Sequence, residues 1–162
     1  MQIDIDVFPL EKSPGRRLRQ AHLVLHAGLT RRFADEGCEL TVEQWAVLSQ
    51  LHDSEAVSQS ELARLLPKSE GSVSRVLALL ERRHLVERPR AEADLRRSEV
   101  ALTERGRQVR SELAAVVRAY LQSAFRGVTP QEYEGFMRVT RKVCANAAGI
   151  TEQSDGEPWD GA

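Results

Sequence analysis

Apolar residues recur along most of this chain at intervals of three and four, the spacing that lines one face of an α-helix. Leu18, Ala21, Leu25, Leu29 and Phe33 make the first stripe; it opens at Ser13-Pro14, a hydroxyl cap followed by proline at the first helical position, and runs out near Gly37. Thr41-Val42-Glu43-Gln44 has the form of a capping box, in which the Thr41 hydroxyl and the Gln44 side chain each satisfy an orphan backbone donor. Trp45, Leu48 and Leu51 follow as the buried stripe of a short second helix. Ser58-Gln59-Ser60-Glu61 repeats the box after a short edge strand at Ala56-Val57, and opens a third helix that turns Leu62, Leu65 and Leu66 inward. Pro67 stops it, because proline cannot donate to the i−4 carbonyl and pushes the residue before it out of helix. A fourth helix starts around Ser69, with Val73, Val76, Leu77 and Leu80 at core spacing.

At Leu85 the period changes. Leu85-Val86-Glu87-Arg88 and Ser98-Glu99-Val100-Ala101-Leu102 alternate, with Val100 and Leu102 on one face, as the two strands of a hairpin do. The Pro89 to Arg97 connection is long and strongly charged, so it is expected to project as a wing. Thr103 caps a fifth helix striped by Val109, Leu113, Val116, Tyr120 and Leu121, and Gly127-Val128 breaks it. Thr129-Pro130-Gln131-Glu132 combines a capping box with proline at the first helical position and opens a sixth helix, lined by Tyr133, Phe136, Val139 and Val143. From Gly149 the chain is polar, acidic and interrupted by glycine and proline, the composition of a disordered tail.

This order predicts a mainly α (α+β) fold with one domain over residues 1–150 and the tail at 150–162. Residues 41–102 form a winged helix-turn-helix, and the amphipathic helices at 13–37 and 103–148 flank it as a dimerisation layer. A stripe larger than one protomer can cover pairs across a two-fold axis.

At 162 residues the chain is long enough to bury its own core without disulfides or metal. The formal net charge of -1 argues against a nucleic-acid partner only until its distribution is examined. Between Lys68 and Arg97 eight basic residues stand against five acidic ones, a local excess suited to a few fixed phosphate contacts. The start lacks a secretory signal and no apolar run reaches the length of a membrane span, so a cytoplasmic protein with no membrane partner is expected. Cys38 and Cys144 are far apart and form no C-x-x-C pair, which speaks against a disulfide framework or structural zinc.

The fourth helix carries the candidate chemistry. Opposite its core stripe it offers Ser69, Ser72 and Arg75, with Ser74 flanking: small hydroxylated residues admit close approach to a groove, and arginine reaches a phosphate or pairs bidentately with guanine. Arg88 and Arg90 are further candidate phosphate contacts, whereas Arg82 and Arg83, late in the helix, suit compensation of its dipole. His22 and His26 stand one helical turn apart, but no acidic residue has an evident place beside them and no metal is assigned; they either pack or line a ligand pocket with Trp45. Cys38 precedes the N-terminus of the second helix and is a candidate redox residue; Cys144 reads as a small apolar filler. No catalytic constellation, phosphate-cradling glycine loop or cofactor fingerprint is present in the sequence, so neither an enzyme nor a cofactor is expected.

With these residues in view, the chain from about Pro14 to Ala148 resembles the MarR family of transcriptional regulators. The resemblance rests on the run Asp94-x-Arg96-x-x-x-Val100-x-Leu102-Thr103-x-x-Gly106, supported by Gly71-Ser72-Val73-Ser74-Arg75 and Leu85-Val86-x-Arg88. It implies an obligate homodimer on a pseudo-palindromic double-stranded operator. The helix matching Ser69 to Arg83 enters the major groove; Arg96, beside Arg97 and oriented by Asp94, enters the minor groove. It also implies a repressor that leaves DNA when a small aromatic or phenolic effector binds; the alternative is an oxidant sensor acting through Cys38. The sequence departs from the family pattern at His84, where glycine is usual, and at Arg90-Ala91-Glu92-Ala93, a wing tip without turn residues.

Overall fold

The structure, a computed structural model, describes residues 13–53, 56–66, 69–88 and 99–154, with side chains to Gly149. In chain order it contains α1 (Pro14–Asp35), α2 (Val42–Leu48), β1 (Val57–Ser58), α3 (Gln59–Leu65), α4 (Glu70–Arg82), β2 (Val86–Glu87), β3 (Glu99–Leu102), α5 (Glu104–Ala124) and α6 (Pro130–Ser154). The chain divides into two compact units at Ala124.

The first unit is a winged helix-turn-helix preceded by α1 and followed by α5. Its sheet has the order β1-β3-β2, all antiparallel, with Val57 opposite Val100 and Val86 opposite Leu102. That register puts Val57, Val86, Val100 and Leu102 on the inner face, where all four are buried. They join Leu48, Leu51, Leu62, Leu66, Val73, Leu77 and Leu80 in one core, which Phe33 from α1 and Leu113 from α5 close at its edges. Each such side chain contributes about 1.5–3 kcal/mol by leaving water.

The caps explain the boundaries. Ser13 accepts from the Arg16 N–H at 3.3 Å, and α1 ends on Gly37 at φ +66, with Cys38 N–H bonded to the Phe33 carbonyl at 2.8 Å. Thr41 and Gln44 complete the reciprocal box of α2 at 3.2 and 3.1 Å. At α3 only half of the predicted box is made, Glu61 N–H to Ser58 Oγ at 3.2 Å. Leu66 is extended, as expected of a residue before proline. Pro67 itself lies outside the described residues.

Three sequence expectations are corrected. Leu65 does not turn inward but is 55% exposed, because α3 is too short to bury more than Leu62 fully, and Leu66 reaches the core only from outside the helix. Trp45 is half-buried at the edge of the core rather than within it. Cys144 is exposed and fills no apolar gap.

The second unit consists of α6 and the turn before it. Gly127 takes φ +84, and Thr129 caps the helix: Glu132 Oε2 accepts from the Thr129 N–H at 2.8 Å while Thr129 Oγ1 accepts from the Glu132 N–H at 3.3 Å. The Thr129 backbone N–H, with the Thr129 hydroxyl, holds the Glu132 carboxyl below the usual carboxylate range. The helix continues through Gly149 to Ser154, where the sequence suggests a tail, since the alanines before it and Glu152-Gln153 after it are good helix formers. Residues 155–162 lie outside the described region.

Candidate nucleic-acid interface

Ser69 builds the first turn of α4: its Oγ accepts from the Ser72 N–H at 3.3 Å and lies 3.0 Å from Ser72 Oγ. The α4 side away from Val73, Leu77 and Leu80 carries exposed Gly71 and Arg75, with half-buried Ser72 and Ser74 on its two flanks. Arg75 Nε donates to the Gly71 carbonyl at 3.3 Å, which lays the guanidinium along the N-terminal turns. A methyl group at Gly71 would meet no atom within 4 Å, so the surface there is open. Hydroxyls, uncovered backbone and one guanidinium thus share a single face, as a groove-reading helix requires. Arg88, after β2, pairs with Glu81 of α4 at 3.4 Å. Arg90, Asp94, Arg96 and Arg97 lie outside the described residues.

The other end of α4 is fixed firmly. His84 is in the left-handed region at φ +55, the glycine-like conformation that the family pattern implies for this position. Leu85 N–H returns to the Leu80 carbonyl at 3.0 Å and His84 N–H to the Glu81 carbonyl at 2.9 Å, while Leu80 and Leu85 are both buried. Thr103 then clamps this turn to α5. Its hydroxyl donates to the His84 carbonyl at 2.7 Å and accepts from the Gly106 N–H at 2.9 Å, and its own N–H reaches the Leu85 carbonyl at 3.2 Å. Gly106 permits that approach: a Cβ there would stand 1.9 Å from the Leu85 oxygen. The Leu102-Thr103-x-x-Gly106 motif is therefore a joint between α4 and α5.

Further long-range bonds brace the module, and the sequence reading misses them. Arg110 of α5 donates to the Leu51 carbonyl and to Asp53 Oδ1, and Arg107 reaches the Asp53 carbonyl at 3.4 Å. Arg83 Nη1 donates to the Glu39 carbonyl at 2.7 Å, tying the α4 exit to the α1–α2 loop. Tyr120 donates to the Leu25 carbonyl at 3.0 Å across Gly28, where a Cβ would lie 2.3 Å from its hydroxyl. Gly28 and Gly106, glycines inside helical patterns, are the sequence signals that could have announced two of these contacts.

The proposed pocket trio is only partly assembled. His22 and His26 lie with ring centroids 5.9 Å apart, and His26 lines a groove of about 330 Å³ between α1 and α2; Trp45 does not line it. An acidic partner is present after all: Glu43 Oε1 is 2.8 Å from His26 Nε2. Backbone N–H bonding above all, and then the His26 side chain, hold Glu43 below the usual carboxylate range against the opposing effect of partial burial. Among the described residues no three His, Cys, Asp or Glu side chains form a metal-ligating group. Cys38 is half-buried, its sulfur bonded to Leu40 at both the N–H (3.4 Å) and the carbonyl (3.8 Å).

A helix-turn-helix formed by α3 and α4, followed by a strand pair and clamped to a long helix, defines the class of winged-helix regulators. Residues 39–97 match the family model described as "MarR family". The transcriptional regulator HosA of Escherichia coli O127:H6 is 29% identical over 128 residues, covering 79% of this chain and 90% of that protein. BpsR of Bordetella bronchiseptica, whose DNA binding is regulated by 6-hydroxynicotinic acid, superposes with a TM-score of 0.75 at 27% identity, covering 85% of this chain and 96% of its own. PcaV, a transcriptional regulator of Streptomyces coelicolor solved with its natural ligand, gives 0.70 at 27% identity over 87% and 98%. Over most of its length the chain is thus similar to transcriptional regulators, and its residues 39–97 carry the MarR-family pattern. Among the described residues no helix is long and apolar enough to cross a membrane.

Proposed function

We propose that the protein is a homodimeric repressor that binds a pseudo-palindromic operator through α4 and the wing and is released by a small molecule. The observation that carries the reading is the open face of α4, where Ser69, Ser72 and Arg75 surround uncovered backbone at Gly71. Arg75 serves a base or phosphate in the major groove, flanked by Ser72 and Ser74; Arg88 and Arg90 serve phosphates; Arg96, with Asp94 and Arg97, serves the minor groove. Release by an effector is supported by the similarity to BpsR and PcaV.

Operator fragments selected from genomic DNA with the purified protein supply the test. In mobility-shift titrations Arg75→Ala should weaken binding by about 1–3 kcal/mol. Arg96→Ala should weaken it more, and both variants should keep the far-UV circular dichroism of wild type. Binding unchanged in both variants would sink the assignment of α4 and the wing to DNA, and a wild-type affinity indifferent to salt would point to a protein partner instead.

A further inference from the structure

A second, larger cleft of about 490 Å³ opens between the α1–α2 loop, the exit of α4 and the α5 stripe that runs from Arg105 to Val116. Its volume falls in the range of small-molecule sites. Buried Leu85 and Leu113 contribute to its lining, together with half-buried Val109 and Val116. The polar groups are sorted. Arg82 and Arg105 line it without a hydrogen-bond or ion-pair partner among the described residues. Two turns further along α5, Glu112 bonds among the described residues only to the neutral amide of Gln108, at 3.0 Å. Arg105 and Glu112 are separated by about 10 Å of helix rise, with Val109 between them on the same stripe.

The cleft is lined by three arginines (Arg82, Arg83, Arg105) and three glutamates (Glu36, Glu39, Glu112), of which Glu36 is already paired with Arg32 at 3.6 Å. A simple anion would leave Glu112 without a counter-charge and a simple cation would leave Arg82 and Arg105 without one; a molecule charged oppositely at its two ends answers both. We infer that this cleft binds a small amphoteric molecule, with a carboxylate facing Arg82 and Arg105, an amine facing Glu112, and an apolar body over Val109 and Leu113. The inference deepens the effector-release reading and rests on it only for the effect on DNA. That effect has a route: one wall of the cleft is the α4 exit, where Arg83 holds the Glu39 carbonyl and His84 is clamped by Thr103.

The test uses the full chain and three probes of one shape: para-aminomethylbenzoate, benzoate and benzylammonium. Titration calorimetry should find the amphoteric probe bound about tenfold or more tighter than either single-ended one, the worth of one charge-assisted hydrogen bond. Arg105→Ala should reduce its affinity to that of benzylammonium, and Glu112→Gln to that of benzoate; both residues are exposed, so neither change threatens the fold. His26→Ala, in the other groove, should leave the titration unchanged. Benzoate binding as tightly as the amphoteric probe, or indifference of the titration to both cleft variants, overturns the inference. Protein that takes up the probe but never shifts operator DNA overturns the repressor reading instead, and protein that shifts DNA but ignores the probe overturns the cleft.

Discussion

Gly106 has no room for a side chain, because a methyl carbon there would sit 1.9 Å from the Leu85 oxygen, and backbone rather than a flexible side chain would have to yield. Gly106→Ala should therefore cost about 1–3 kcal/mol in thermal or urea denaturation. Gly71→Ala meets nothing and should gain about 0.5–1 kcal/mol through helix propensity. Equal changes in the two variants would show that the α4–α5 joint is not tight. At Glu43 the folded state favours the carboxylate, so its contribution to stability is present above the unfolded value near 4.5 and is lost as pH falls through the lower folded value. The melting temperature of wild type should exceed that of Glu43→Gln at neutral pH, and the gap should close on acidification below 4.5. A gap independent of pH would assign Glu43 no electrostatic part.

At the scale of elements, what is written locally is legible in the sequence and what is written at a distance is not. Ser13, Thr41, Ser58, Ser69, Thr103 and Thr129 each cap the helix they precede, since a cap needs only residues within one turn. The open face of α4 follows from the same periodicity, and so does the left-handed His84 from its place after the helix. Leu65 misleads because a leucine at core spacing says nothing about whether a seven-residue helix has a second neighbour to bury it. Arg83, which the sequence suggests as compensating its helix dipole, bonds to the Glu39 carbonyl, and Arg107 and Arg110, which no local pattern singles out, bond to the carbonyls of Asp53 and Leu51. Glu43 meets His26 across 17 residues, a pairing that neither residue's own helix announces. The cleft beside Arg105 is invisible for the same reason: its lining comes from three separate stretches of chain.

The whole molecule leaves apolar surface unspent. In the first unit Leu23 and Val24 of α1 are 53% and 65% exposed, and Leu121 of α5 is exposed as well; in the second unit Tyr133, Phe136, Val139 and Val143 are exposed along α6. Surface of this kind on the helices assigned to dimerisation supports a two-fold assembly. Val24→Glu should shift sedimentation velocity toward monomer and, by separating the half-site readers, weaken operator binding steeply; a variant that still sediments as a dimer would take α1 out of the interface. The α4 exit sets a further condition on DNA reading. Its joint at Leu85 and Gly106 fixes one end of α4, a helix about 20 Å long that carries Ser69 at the other end. A tilt of about 5° at that joint would displace the Ser69 end by ~2 Å by the same geometry, more than a hydrogen bond tolerates. The tightness of the Leu85–Gly106 contact therefore sets how accurately Ser69 and Ser72 are aimed.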